Sequence, residues 1–132
     1  MRILVVEDEK LVRQMAVSAL RRAGYEVIEA ATGEEALSRC KEHTADLLFT
    51  DIRLPGTLDG WDVAEHCRAS HPLIPVIYAS GYSHKEARQV PGSVYIPKPY
   101  RPSQLVKTIR ELIGSNPPAD GDRGAISAAS AA

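Results

Sequence analysis

The order in which apolar residues are strung along this chain restricts its fold more than any other feature. Short apolar runs alternate with longer stretches in which apolar residues recur at helical spacing, and that alternation implies a parallel sheet with helices on both faces. Ile3-Leu4-Val5-Val6 is an unbroken run rich in β-branched residues, as expected for a strand buried on both sides. Leu11, Val12, Met15, Ala16, Ala19 and Leu20 follow as an apolar stripe of helical period, and Gly24 stands where such a helix needs a left-handed cap.

The pattern then repeats. Glu26 to Ala30 reads as a second, weaker strand, and Thr32-Gly33-Glu34-Glu35 reads as a capping box opening a helix with Ala36, Leu37 and Cys40. Leu47-Leu48-Phe49-Thr50 is a third strand running directly into Asp51. A loop with Pro55, Gly56 and Gly60 leads to a helix from about Trp61 to Ala69, and Trp61 is expected to pack against the sheet. Val76-Ile77-Tyr78-Ala79 is the fourth strand and Val94-Tyr95-Ile96 the fifth, which stops at Pro97-Lys98-Pro99. The last helix carries Leu105, Val106, Ile109, Leu112 and Ile113, with Pro102 in its first turn and Gly114 at its end. Between Gly81 and Gly92 the polar run His84 to Gln89 offers almost no apolar face, so a helix there is expected to be short and weakly anchored.

Residues 115–132 carry Pro117, Pro118 and six alanines, with Ile126 the only large apolar residue. Such a stretch buries too little surface to offset the entropy of ordering it. The expected organisation is therefore one domain over residues 1–114 and a disordered tail over 115–132. Net charge is −1, and no basic run is interleaved with aromatics, which argues against direct nucleic-acid binding. The longest apolar run is far too short to span a bilayer, and a strand pattern beginning at residue 2 leaves no room for a signal peptide. Cys40 and Cys67 lack metal-ligand spacing and read as two free thiols in a cytoplasmic protein. The four histidines lie in different elements, also without ligand spacing.

In an open parallel sheet, ligands sit beyond the carboxyl ends of the strands. The first strand ends in Glu7-Asp8-Glu9, the third in Asp51, the fourth in Ala79-Ser80 and the fifth runs to Lys98. Clustered carboxylates repel one another and favour a divalent cation that prefers oxygen; Mg²⁺ suits because it needs few carboxylates and keeps several waters. A carboxylate can also attack a phosphoryl group, while a metal and a lysine neutralise charge on the transferring oxygens. Singly, each feature has a plainer reading: Asp8 or Glu9 as a helix-start acid, Asp51 as a turn residue, Lys98 as a solvent-exposed side chain. Their joint occurrence at three strand ends favours the chemical reading.

These residues resemble the receiver domains of two-component response regulators. The resemblance runs from residue 2 to about 113 and rests on Ile3-Leu4-Val5-Val6-Glu7-Asp8-Glu9, on Asp51-Ile52-Arg53-Leu54-Pro55-Gly56 leading to Asp59-Gly60, and on Lys98-Pro99. It implies an α/β, flavodoxin-like (βα)5 fold: a doubly wound parallel five-stranded sheet in the order 2-1-3-4-5, here with a fourth helix that is short or partly disordered. It implies that Asp51 is the phosphoacceptor for a histidine kinase or histidine phosphotransfer protein. Asp8 then resembles a direct Mg²⁺ ligand, Glu7 one acting through water, and Arg53 the position whose backbone carbonyl completes the metal site. Lys98 resembles the phosphate-pairing lysine, preceding a cis proline bond. Tyr95 falls at the switch aromatic that turns inward or outward; the plainer alternative is a core tyrosine with its hydroxyl at the surface.

Three departures stand out. The family's fourth strand ends in Thr or Ser, and counting from Pro75 places Ala79 there. Ser80 lies one residue later and is expected to substitute only if the chain leaves strand geometry, which Gly81 permits. The motif Tyr78-Ala79-Ser80-Gly81-Tyr82 resembles a variant subset of receivers. Nineteen positions separate Ala79 from Lys98 (98 − 79), fewer than in the family, and Thr57-Leu58 lengthens the loop before Asp59-Gly60 by one residue.

The expected role is a stand-alone regulator read by a downstream protein, with a phosphate sink or a degenerate, constitutively binding receiver as alternatives. A phosphatase-like enzyme working through an aspartyl phosphate is disfavoured, because the position two residues after the nucleophile is Arg53 rather than an acid.

Overall fold

The computed structural model describes residues 1–81 and 88–114. Within them the chain forms five strands and four helices: β1 (Arg2–Val6), α1 (Lys10–Arg22), β2 (Glu26–Ala30), α2 (Gly33–Glu42), β3 (Leu47–Asp51), α3 (Gly60–Ser70), β4 (Val76–Ser80), β5 (Val94–Pro97) and α4 (Pro102–Gly114). All strand pairs are parallel, and the sheet order is β2-β1-β3-β4-β5. This is the expected doubly wound arrangement. The helix expected between β4 and β5 falls mostly on residues outside those described, as does the tail; among the described residues that connection contains no helix.

Alternation along each strand splits the core into two layers. Leu4, Val6, Leu48, Val76 and Tyr78 face Ala36, Trp61, Ala64 and Cys67 of α2 and α3. Ile3, Val5, Leu47, Phe49, Ile77 and Ile96 face Ala16, Val17, Leu20, Leu105 and Ile109 of α1 and α4. β1, β3 and β4 are buried almost throughout because both of their faces carry apolar side chains. Trp61 is buried, with its ring centroid 4.8 Å from that of Tyr78, as its place at a helix start led us to expect.

The stripe read for α1 is wider than the face the sheet covers. Ala16, Val17, Ala19 and Leu20 are buried, but Leu11 and Met15 are 76% and 55% exposed. At about 100° per residue Met15 falls roughly a third of a turn, and Leu11 nearly half a turn, from the line through Ala16 and Leu20, so the helix rotation that seats the small alanines leaves them outside.

Local sequence signals hold at the element ends. Gly24 has φ +99° just beyond the Ala23 C-cap of α1. Thr32 caps α2 by accepting from the Glu35 amide at 3.0 Å. The Glu35 carboxylate accepts from Ala31 N–H at 2.6 Å, not from the Thr32 amide, so the expected box is displaced by one residue. The reciprocal box occurs instead at α3, between Asp59 and Asp62.

Candidate functional site

The carboxyl edge of the sheet gathers the residues singled out from sequence. β1 ends one residue before Glu7, whose amide continues the ladder to Ala30 O at 3.0 Å. Arg13 of α1 donates to the Glu7 carbonyl at 2.9 Å and pairs with Glu29 at 3.2 Å, which fixes where the acidic turn leaves the sheet. Glu7 is 3% exposed, while Asp8 points to solvent. Asp51, the last residue of β3, is 7% exposed and lies opposite Ala79 in the ladder. Gly60 makes this possible. Its amide donates to Ile52 O at 2.8 Å, and a Cβ there would overlap the Asp51 carbonyl oxygen. Only a glycine lets the start of α3 close over the end of β3.

Lys98 follows β5 and precedes a cis peptide bond to Pro99. Its amide donates to Ser80 O at 2.8 Å. Its ammonium donates to Glu7 Oε1 at 3.0 Å and Asp51 Oδ2 at 3.1 Å. One carboxylate oxygen from each of Glu7, Asp8 and Asp51 lies within 4.8 Å of the others, the only such grouping of potential metal ligands among the described residues. Three carboxylates share this edge with the Lys98 ammonium, which pairs directly with Glu7 and Asp51.

The electrostatics follow from burial. Desolvation pushes the Glu7 carboxyl above its ordinary range, against the Glu9 amide and the Lys98 ammonium, which pull it down. Desolvation likewise raises Asp51, opposed mainly by Lys98 and aided by the charge of Asp8. For Lys98, burial works against the charge, but the Glu7 hydrogen bond and the Asp51 and Glu7 charges outweigh it and raise the ammonium. An oxygen-preferring divalent cation fits this donor set, with Asp8 as its exposed member.

Ala79 and Ser80 are placed differently from expectation. β4 runs through Ser80, which pairs with Pro97, so the last residue of the strand is Ser80 and not Ala79. Ala79 is 1% exposed and packs in the layer with α1 and α4. Ser80 is buried at the carboxyl edge beside Lys98, reached without any departure from strand geometry. The apolar pattern ended one residue early because a serine closes the strand. Tyr95 is turned inward, its ring 5.4 Å from Tyr78 and 6.2 Å from Trp61. Its hydroxyl oxygen is buried, which removes the reading of a core tyrosine with a surface hydroxyl. Arg53 is exposed in the loop two residues past Asp51.

The lengthened loop is anchored. Thr57 donates from its amide and its hydroxyl to Glu34 Oε2 at 3.1 and 2.7 Å, and Leu58 packs so tightly on Gly33 that a Cβ there would lie 2.6 Å from Leu58 Cβ. Tyr100 was not singled out from sequence. Its ring meets Phe49 edge-on at 5.5 Å, and its hydroxyl is buried with no hydrogen-bond partner among the described residues. Burial, and then the charge of Glu7, push that phenol up to about 12. Its position two residues past Lys98 was the available signal.

Comparison with known proteins agrees with this geometry. The family model described as the response regulator receiver domain matches residues 3–110. The sensor kinase CckA of Brucella abortus is 38% identical over 117 residues, covering 84% of this chain and 12% of that protein. The transcriptional regulatory protein PdtaR of Mycobacterium tuberculosis is 34% identical over 113 residues, covering 82% of this chain and 54% of that protein. The chain thus spans about half, or much less, of these relatives' lengths. The response regulator TrrA of Thermotoga maritima, whose crystal structure is a complex with Mg²⁺–BeF, superposes with TM-score 0.76 at 32% identity, covering 84% of this chain and 97% of that one. Fold, strand-end carboxylates and sequence agree: the chain belongs to the response regulator receiver domains of two-component systems.

Proposed function

We propose that Asp51 accepts a phosphoryl group from a phosphohistidine on a histidine kinase or phosphotransfer protein, and that the phosphorylated domain signals by docking a downstream protein in the cytoplasm. The observation that carries this is the convergence of Glu7, Asp8 and Asp51 around the Lys98 ammonium. A carboxylate oxygen of Asp51 bonds to phosphorus while the phosphorus–nitrogen bond to the donor histidine breaks, leaving an acyl phosphate. Mg²⁺, when bound, supplies positive charge toward the phosphoryl oxygens. Asp8 and Asp51 would hold it directly, with Glu7 acting through water and Arg53 offering its backbone carbonyl. Lys98 already holds an Asp51 oxygen and serves as a point charge toward the transferred group. Ser80, at the same edge, supplies the hydroxyl that Ala79 lacks. Tyr95 is the aromatic whose inward packing would respond to Ser80.

Arg53 in place of a second acid speaks against turnover on small substrates, so this chemistry is self-phosphorylation and autodephosphorylation by water. The test is phosphate-affinity gel mobility after incubation with a small phosphodonor, with and without Mg²⁺, for wild type and Asp51→Asn. The expected result is a Mg²⁺-dependent shifted band that the variant lacks. No shift under any condition would leave a degenerate receiver that binds its partners constitutively.

A further inference from the structure

Cys40 and Cys67 are 27 residues apart in sequence (67 − 40), yet their Sγ atoms lie 3.1 Å apart across the α2–α3 contact. That is closer than two sulfurs sit in ordinary non-bonded contact. Cys67 is 3% exposed in the core layer beneath the two helices, whereas Cys40 is half-buried. Both border a cavity of about 340 Å³ whose wall also includes His43 and His71. The pair therefore has what oxidation needs: two thiols in contact and an opening to one side.

We propose that Cys40 and Cys67 form a reversible intramolecular disulfide under peroxide, cross-linking α2 to α3. The half-buried Cys40 thiolate attacks a peroxide oxygen; the O–O bond breaks, one oxygen leaves as water, and Cys40 becomes a sulfenic acid. The Cys67 sulfur then attacks Cys40 Sγ. The S–S bond forms, the S–O bond breaks, and the departing hydroxide takes the Cys67 proton as water. Two thiols and one hydrogen peroxide thus give one disulfide and two waters.

The local electrostatics assign the same order. The hydrogen bond between the thiols lowers Cys40 and raises Cys67, and burial raises Cys67 further, so Cys40 is the thiol that ionises first. The competing chemistry is a soft metal held by Cys40, His43, Cys67 and His71. Among the described residues, however, only Glu7, Asp8 and Asp51 bring three ligand atoms together, so the two imidazoles do not converge on the sulfurs. The cross-link would join α2, whose Gly33 packs on Leu58 of the lengthened loop, to α3, whose Gly60 presses on the Asp51 backbone. The inference does not depend on phosphorylation of Asp51.

The experiment treats the full chain with a slight excess of hydrogen peroxide, alkylates under denaturing conditions and weighs the intact protein. The expected product is a monomer lighter by two hydrogens that takes up no alkylating agent and regains both thiols with dithiothreitol. Its non-reducing digest contains one cross-linked peptide pair. In Cys67→Ser, Cys40 should stop at a sulfenic acid that dimedone traps. Covalent dimers, or two thiols that still alkylate fully after peroxide, would overturn the proposal. So would stoichiometric Zn²⁺ that shields both thiols from alkylation in the wild type but not in His43→Ala or His71→Ala, because the pair would then be a metal site.

Discussion

Replacing Gly60 with alanine tests whether α3 really closes over the end of β3. An added Cβ would overlap the Asp51 carbonyl oxygen and lie 2.8 Å from Ile52 Cα, both backbone atoms of a buried strand end. Flexible side-chain tips yield cheaply, but a packed backbone does not. Relief requires the start of α3 to retreat on the order of 1 Å, and forced overpacking of this kind costs roughly 1–3 kcal/mol. The retreat also weakens the 2.8 Å bond from Gly60 N–H to Ile52 O, a loss of about 1 kcal/mol. Against this, alanine is favoured over glycine in a helix by about 1 kcal/mol. The net expectation is a destabilisation of about 2 kcal/mol, which for a domain of this size lowers Tm by on the order of 8–10 °C. The matched control is Gly81→Ala, where an added Cβ meets nothing within 4 Å. That change should be neutral, or stabilising by up to ~1 kcal/mol through the unfolded chain. Urea unfolding followed by circular dichroism gives both values. If Gly60→Ala proves as stable as Gly81→Ala, the close approach is not the reason for glycine at this position.

Two further outcomes follow from buried polar groups. Tyr78→Phe removes the oxygen that accepts the buried Val90 amide at 3.2 Å, and an orphaned buried donor costs roughly 1–3 kcal/mol; an unchanged urea midpoint would mean that this amide finds water instead. The second concerns pH. Burial holds Asp51 above its ordinary range, so the folded state keeps a proton on it that the unfolded chain has already released. The Asp51 contribution to stability therefore falls as pH rises from about 4 through its folded value, and is constant above that. In chelator-treated protein, Asp51→Asn should gain stability relative to wild type over that window. A difference that does not change with pH between 4 and 7 would refute the assignment. Lys98 is shifted in the opposite sense for stability: its raised ammonium contributes fully below the ordinary lysine range and is lost only in strong alkali, outside this window.

The fold class and the location of the chemistry were legible in the order of the amino acids. Ile3 to Val6 and Leu47 to Thr50 read as strands covered on both faces, because an apolar run too short for a helix leaves no face for water. Once they are parallel neighbours, Asp8 and Asp51 must emerge at one edge, and Lys98 joins them because β5 pairs with β4 in the same direction. Gly24, the Thr32 cap and the Pro102 helix start were equally legible, since each is set by the backbone of a few consecutive residues.

Matters that depend on residues distant in sequence were settled by packing. That β4 continues through Ser80 is fixed by its pairing with Pro97, not by the apolarity of its own residues. The exposure of Leu11 and Met15 depends on how α1 rotates over the sheet, and the inward set of Tyr95 on rings from β4 and α3. The same holds for the buried Tyr100 hydroxyl beside the acidic cluster and for the Cys40–Cys67 contact. One cause is common to all of these. A period along the chain tells which way a side chain leaves its own element, but what it meets is set by the register and rotation of elements packed against it, and those are settled only when the whole core closes.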